Sequence, residues 1–251
     1  MSAIAPIALS IAGYDPCGGA GLLADIKTME QHGVYGMGVM TANTIQDEDK
    51  VHAVEWLPEV NIIRQLEILV SKYDITYVKI GIVESVKVLC KIIDILKHKN
   101  KEVKIIWDPV FRSTSGYALL SGYSNVEDLL HGIYLITPNY NEYIELFDGE
   151  LHLLKSSAYC NILLKGGHNP THPGVDTLYT NRQRIALYPC NQTAKVYEKH
   201  GSGCVLASSI TANLTLGNSL HAACEKAKAY TLNFLCSHPS RLGWHHQTTK
   251  V

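Results

Sequence analysis

The sequence runs to 251 residues, with 22 Lys and Arg against 23 Asp and Glu and a formal net charge of -1. A chain of this length can bury about 70–75% of its unfolded surface without a disulfide or metal staple, and its near-zero charge removes the electrostatic case for nucleic acid or an anionic membrane. With 46% hydrophobic and 18% charged residues it is a cored globular chain, not a disordered one.

In chain order, short apolar runs alternate with longer segments of helical period. Ile7 to Ala12 reads as a buried strand. Leu22, Ile26 and Met29 then fall at helical spacing, and Gly33 supplies the stop. Tyr35 to Met40 predicts a second strand, and Val60, Ile63, Leu66 and Val70 a helix. Thr76 to Ile80 is a strand, Val86 to Leu96 a helix, and Val103 to Trp107 a strand that ends at Asp108-Pro109. Ile133 to Ile136 ends likewise at Thr137-Pro138, before a helix carrying Tyr140, Ile144 and Phe147. Ile162 to Leu164 leads into Lys165-Gly166-Gly167, and Asp176–Tyr179 with Arg184–Leu187 predicts an antiparallel hairpin. Two helices, Gly203–Leu216 and Leu220–Ser237, close the chain. Repeated β–α alternation without linker or repeat implies one α/β domain, a mostly parallel sheet with helices on both faces. Ligands in such sheets bind beyond the carboxyl ends of the strands.

Seven cysteines at irregular spacing, with no C-x-x-C pair, predict reduced thiols and hence a cytoplasmic protein. The first six residues lack the basic and apolar regions of a signal peptide. Gly201 to Cys224 carries no Lys, Arg, Asp or Glu, yet its serines, threonines and asparagines make it too polar for a membrane span.

His200-Gly201-Ser202-Gly203-Cys204 opens the penultimate helix. Glycines there let successive N–H groups converge on one anion, and the helix dipole adds about half a positive charge. A cysteine in that first turn is expected to ionise below its usual pKa of about 8.5 and to serve as a base for a substrate hydroxyl. The alternative is a small buried cysteine behind a glycine turn. Gly13 to Gly21, after the first strand, lacks the G-x-G-x-x-G order and the acidic residue of a dinucleotide site. It is either a backbone cradle for a small substrate or a tight turn needing positive φ. Asp108, and Asn139 with Glu142 three residues on, stand at strand ends where they suit Mg²⁺ beside phosphate oxygens, or else cap helices. Lys165 ends a strand where it can meet a phosphate chain, or is simply solvated. His168 and His172 are separated by Pro170, which forbids a helical metal pair.

Taken together these motifs resemble the hydroxymethylpyrimidine (phosphate) kinases of thiamine biosynthesis, in the ribokinase superfamily. The resemblance runs from Ala12 to Thr28 through Tyr35-Gly36, Thr41-Ala42 with Gln46, and Lys79-Ile80-Gly81. It continues in Asp108-Pro109-Val110, Ser115-Gly116, Thr137-Pro138-Asn139 with Glu142, Lys165-Gly166-Gly167-His168, His200 to Cys204 and Gly243-x-His245-His246. It implies a ribokinase-like three-layer sandwich, ATP and Mg²⁺ as cosubstrate and cofactor, a small aminopyrimidine alcohol as substrate, and a homodimer. On the same ground Cys204 would be the catalytic base and Gly201, Ser202 and Gly203 the anion hole. Asn139 and Lys165 would serve the nucleotide, Asp108 and Glu142 the metal, and Gly13, Asp25, Gln46 and Val110 the substrate. Gln46 favours a pyrimidine, since related pyridoxal kinases tend to have an apolar residue there. The rival readings are a pyridoxal kinase and a degenerate relative that binds the pyrimidine without phosphorylating it. Departures from the family are a short segment between Glu142 and Lys165, which predicts the loss of most of one helix, and Leu23, Thr114 and Ser202 in place of commoner residues.

Overall fold

The computed structural model describes residues 5–111, 127–168, 173–189 and 194–245. Ser115-Gly116, Thr114, His172 and His246 therefore lie outside the described residues. Nine strands form one sheet in the order β3-β2-β1-β4-β5-β6-β7-β8-β9. Its centre is parallel: β1 (Ile7–Tyr14) pairs with β2 (Tyr35–Gln46) and β4 (Tyr77–Ile80), followed by β5 (Lys104–Trp107), β6 (Leu135–Ile136) and β7 (Asn161–Leu164). Both edges are antiparallel, with β3 (Val51–Trp56) on β2, and β8 (Asp176–Thr180) and β9 (Gln183–Leu187) beyond β7. The expected hairpin is β8–β9, turned by Asn181 and Arg182 at φ 48° and 61°, the mirror-image turn that matches strand twist.

Helices cover both faces, as in a ribokinase-like fold. α2 (Glu59–Lys72), α3 (Val86–Lys99), α5 (Tyr140–Leu146) and α6 (Gly149–Ser156) pack their apolar residues into the larger core. α3 is typical: Ser85 caps its first turn and Val88, Leu89, Ile92, Ile93 and Leu96 form the buried stripe. α1 (Gly21–Gln31), α7 (Ser202–Thr215) and α8 (Leu220–Cys236) cover the other face, where α7 packs against β1, β4 and β5. Every residue of α7 from Val205 to Leu214 is buried. That accounts for the charge-free stretch: an ionised side chain anywhere on this helix would need a buried partner. Among the described residues no helix is long and apolar enough to cross a membrane.

Three elements depart from the sequence expectation. β2 runs on past Met40 to Gln46 and folds back as β3, which the half-exposed pattern of Val51–Trp56 did not signal. The 142–165 segment is short but still helical, holding α6 after α5. A four-residue helix, α4 (Glu127–Leu130), precedes β6, whose paired length is only two residues.

Candidate active site

A cavity of about 760 Å³ opens beyond the carboxyl ends of β1, β4, β5 and β7. The sheet order reverses between β1 and β4, the crevice where open α/β sheets place ligands. Eleven of the twelve sequence-predicted site residues line it: Gly13, Gln46, Val110, Asp108, Asn139, Glu142, Lys165 and the run Gly201 to Cys204.

Gly201 caps α7 in the left-handed conformation at φ 75°, and no side chain caps the helix, so its first turn offers backbone N–H groups to the cavity. Only glycine fits at Gly201, because a Cβ would stand 2.0 Å from the Gly19 carbonyl oxygen. Gly201→Ala is expected to lose at least ~1–2 kcal/mol from the backbone conformation alone, before the clash. A shifted denaturant midpoint checks this; an unchanged one contradicts it. On the other side of the turn, a Cβ at Gly203 would stand 3.4 Å from Lys165 Nζ.

Cys204 lines the cavity and is half-buried. Its ionisation differs from expectation. Burial pushes the thiol up to about 11, opposed by the Lys79 ammonium and the Gly21 N–H and reinforced by Asp25 and Asp108. The helix dipole does not outweigh desolvation, and the resting group is a thiol.

Asp108 accepts from Lys165 Nζ at 2.8 Å and from Thr137 Oγ1 at 2.9 Å. Burial works against the Asp108 carboxylate, but Lys165 and Lys79 more than offset it and hold its pKa below the usual range. Lys165 is only 14% exposed and also lies 3.8 Å from Glu142, so it is not a solvated lysine. Asn139 and Glu142 form a reciprocal capping box at α5, with Asn139 N–H donating to Glu142 at 2.6 Å. Both the capping alternative and the cavity position therefore hold for this pair. Burial raises the Glu142 carboxyl to about 7 despite Lys165.

Asp25 does not join the others. It is fully buried and absent from the cavity wall. Its carboxylate accepts from Ser10 Oγ at 2.5 Å, Lys79 Nζ at 2.8 Å and Ser208 Oγ at 2.5 Å. Asp25 thus ties α1 to β1, β4 and α7 beneath the site instead of reaching into it. Its partner Lys79, also fully buried, does line the cavity. Burial works against the Lys79 ammonium, but Asp25 more than offsets it and holds it above the ordinary lysine range. No role was assigned to Lys79 from the sequence, although a lysine inside Tyr77-Val78-Lys79-Ile80 is conspicuous in an otherwise buried strand.

Asp15 is a further residue to which the sequence alone assigns no role. Buried in the glycine turn, it accepts from the N–H groups of Cys17, Gly19 and Ala20 at 3.0, 3.0 and 2.7 Å, and its Oδ2 lies 3.0 Å from His200 Nε2. This carboxylate ties the β1–α1 turn to the mouth of α7. Burial opposes it, but the bonds from His200, Cys17 and Ala20 prevail and lower its pKa to about 2. At the far end His245 sits 3.0 Å from the Tyr230 hydroxyl and packs on Phe234. It does not line the cavity.

A backbone anion cradle, a lysine–carboxylate cluster and a thiol around one cavity suit transfer of a phosphoryl group to a small alcohol. The family model described as phosphomethylpyrimidine kinase matches residues 15–250. The chain belongs to the phosphomethylpyrimidine kinase family. A hydroxymethylpyrimidine/phosphomethylpyrimidine kinase of Aquifex aeolicus is 34% identical over 89% of this chain and 92% of its own length. One from Rhizobium meliloti is 35% identical over 89% and 88%. The crystal structure of a phosphomethylpyrimidine kinase from Clostridium difficile 630 superposes with a TM-score of 0.73 at 33% identity, covering 90% of this chain and 97% of that one. A Staphylococcus aureus pyridoxal kinase in complex with AMP-PCP and pyridoxal reaches a TM-score of 0.80 over 99% and 96% of the two chains, but at 22% identity it speaks for the fold alone. As a member of this kinase family, the protein is an ATP-using phosphotransferase with a small-molecule acceptor.

Proposed function

We propose that the protein transfers the γ-phosphoryl of ATP to the 5-hydroxymethyl oxygen of 4-amino-5-hydroxymethyl-2-methylpyrimidine, and a second phosphoryl to the resulting monophosphate. The observation that carries this is the meeting, in one cavity, of Gln46 and Gly13 with Cys204, Lys165 and the uncapped turn of α7. The alcohol oxygen bonds to the γ-phosphorus as the bond to the ADP oxygen breaks. The Cys204 thiol first gives its proton to solvent, and the alcohol proton then passes to the thiolate sulfur. Negative charge on the transferring group is met by the N–H groups of Gly201, Ser202 and Gly203 and by Lys165. Since burial keeps Cys204 a thiol at rest, the Lys79 ammonium and the Gly21 N–H supply what stabilisation its thiolate receives. Asn139 and Lys165 serve the nucleotide, Val110 and Gly13 the pyrimidine ring.

Asp108 and Glu142, both in contact with Lys165, are hard oxygen donors that fit Mg²⁺ held mainly through water and phosphate oxygens. When bound, that ion would neutralise phosphate charge. The cytoplasmic location rests on the cysteine usage, and the homodimer on family resemblance.

Gln46 can both donate and accept, which suits an aminopyrimidine edge. Gln46→Met is expected to lower kcat/KM for the pyrimidine at least ~10-fold more than for pyridoxal, because a site built for hydrogen bonds discriminates by them. Equal losses for both would refute the assignment. ADP release by the purified enzyme, with the pyrimidine alcohol or with pyridoxal, tests the proposal as a whole. Faster release with pyridoxal would replace it.

A further inference from the structure

We propose that Asp15, Cys17 and His200 form a binding site for one divalent cation of the Zn²⁺ class, apart from any site that serves Mg²⁺–ATP. It does not rest on the kinase reading, because occupancy can be measured without nucleotide. Among the described residues this is the only group of three metal-ligating side chains whose donor atoms all lie within 4.8 Å of one another.

The geometry is close to what such an ion requires. Cys17 Sγ lies 3.0 and 3.3 Å from the two Asp15 oxygens, and His200 Nε2 lies 3.0 Å from Oδ2. Metal–ligand bonds of about 2.0–2.3 Å at tetrahedral angles separate donor atoms by roughly 3.3–3.8 Å, so Cys17 and His200 need move only slightly from Asp15, and their own donor atoms lie within 4.8 Å of each other. The carboxylate is already pinned by three backbone N–H groups, the kind of outer support that orients ligating carboxylates.

The cation would occupy the space that hydrogen-bonding protons fill now. The thiol loses its proton to solvent as the sulfur–metal bond forms, and the imidazole binds through neutral Nε2 with its proton on Nδ1. One carboxylate and one thiolate then balance the dication. A sulfur, nitrogen and oxygen donor set favours Zn²⁺ over Mg²⁺, which demands oxygen. Three protein ligands leave a fourth position, and Asp15 and His200 line the cavity through which the ion would enter.

The test titrates the full-length protein with Zn²⁺ against a chromogenic chelator in millimolar Mg²⁺, and with Co²⁺ to read the thiolate charge-transfer band. One equivalent of Zn²⁺ and a Co²⁺ band are expected. Cys17→Ser should abolish the band and weaken Zn²⁺ by ~100-fold or more, since loss of an outer-shell partner alone costs up to about that much. His200→Gln, which removes the nitrogen ligand, should weaken Zn²⁺ as well. The proposal is overturned by no stoichiometric uptake in the wild type, by equal affinity in either variant, by displacement with Mg²⁺, or by a band that survives Cys17→Ser and disappears in Cys204→Ser.

Discussion

Cys204→Ala is expected to lower turnover of the pyrimidine alcohol by about 10²–10⁴-fold, the range that a positioned general base contributes, while its Kd changes little. Cys204 lines the cavity one residue beyond the glycine turn, with the Gly21 N–H and the Lys79 ammonium acting on its sulfur. No other thiol lines that wall among the described residues. Alanine removes the proton acceptor but leaves the cradle of Gly201 to Gly203, so some transfer should persist through charge neutralisation alone. Turnover within a few-fold of wild type would take the base role away from Cys204.

The second large effect concerns stability. Lys79→Met leaves the Asp25 carboxylate buried with two hydroxyl donors but no cation. Breaking a fully buried pair from one side typically costs about 3–5 kcal/mol, and both members here are 0% exposed. Asp25 also joins α1, β1 and α7 through Ser10 and Ser208, so the loss should spread to the helix that carries the anion cradle. The double change Lys79→Met with Asp25→Asn should recover part of the stability, because no uncompensated charge then remains. A denaturant curve for Lys79→Met within ~1 kcal/mol of wild type would show that Asp25 draws little from its partner.

The strand ends were legible because buried parallel strands are near-continuous apolar runs that stop abruptly at Asp108-Pro109, Thr137-Pro138 and Lys165-Gly166. Depth was not. Asp25 was assigned to the substrate pocket by its place in a motif, and a motif fixes residue type without saying whether the side chain reaches the cavity or the layer beneath. The helix dipole near Cys204 is visible from Gly-x-Gly, whereas the desolvation that raises the thiol depends on packing across α1, β4 and α7, which the sequence scatters over some 180 residues. β3 escaped notice because its faces are nearly equally buried and give no clean alternation. α6 did so because eight residues with two buried positions are too few for a periodicity. Lys79 leaves a readable trace, a charge within a buried strand, but its partner Asp25 lies 54 residues away in sequence and only the fold brings them together.

The claim on which the rest depends is that Cys204 accepts the proton from the alcohol. A base whose pKa lies near 11 becomes more effective as pH rises, so kcat/KM of the wild type should climb with a slope of about one between pH ~7 and ~9. Cys204→Asp supplies a carboxylate of much lower intrinsic pKa, already ionised over that range, and its profile should flatten while activity persists above that of the alanine variant. The pH dependence of kcat/KM for the two proteins, measured side by side, tests this most directly. Profiles that diverge in this way are predicted; superimposable profiles would contradict it.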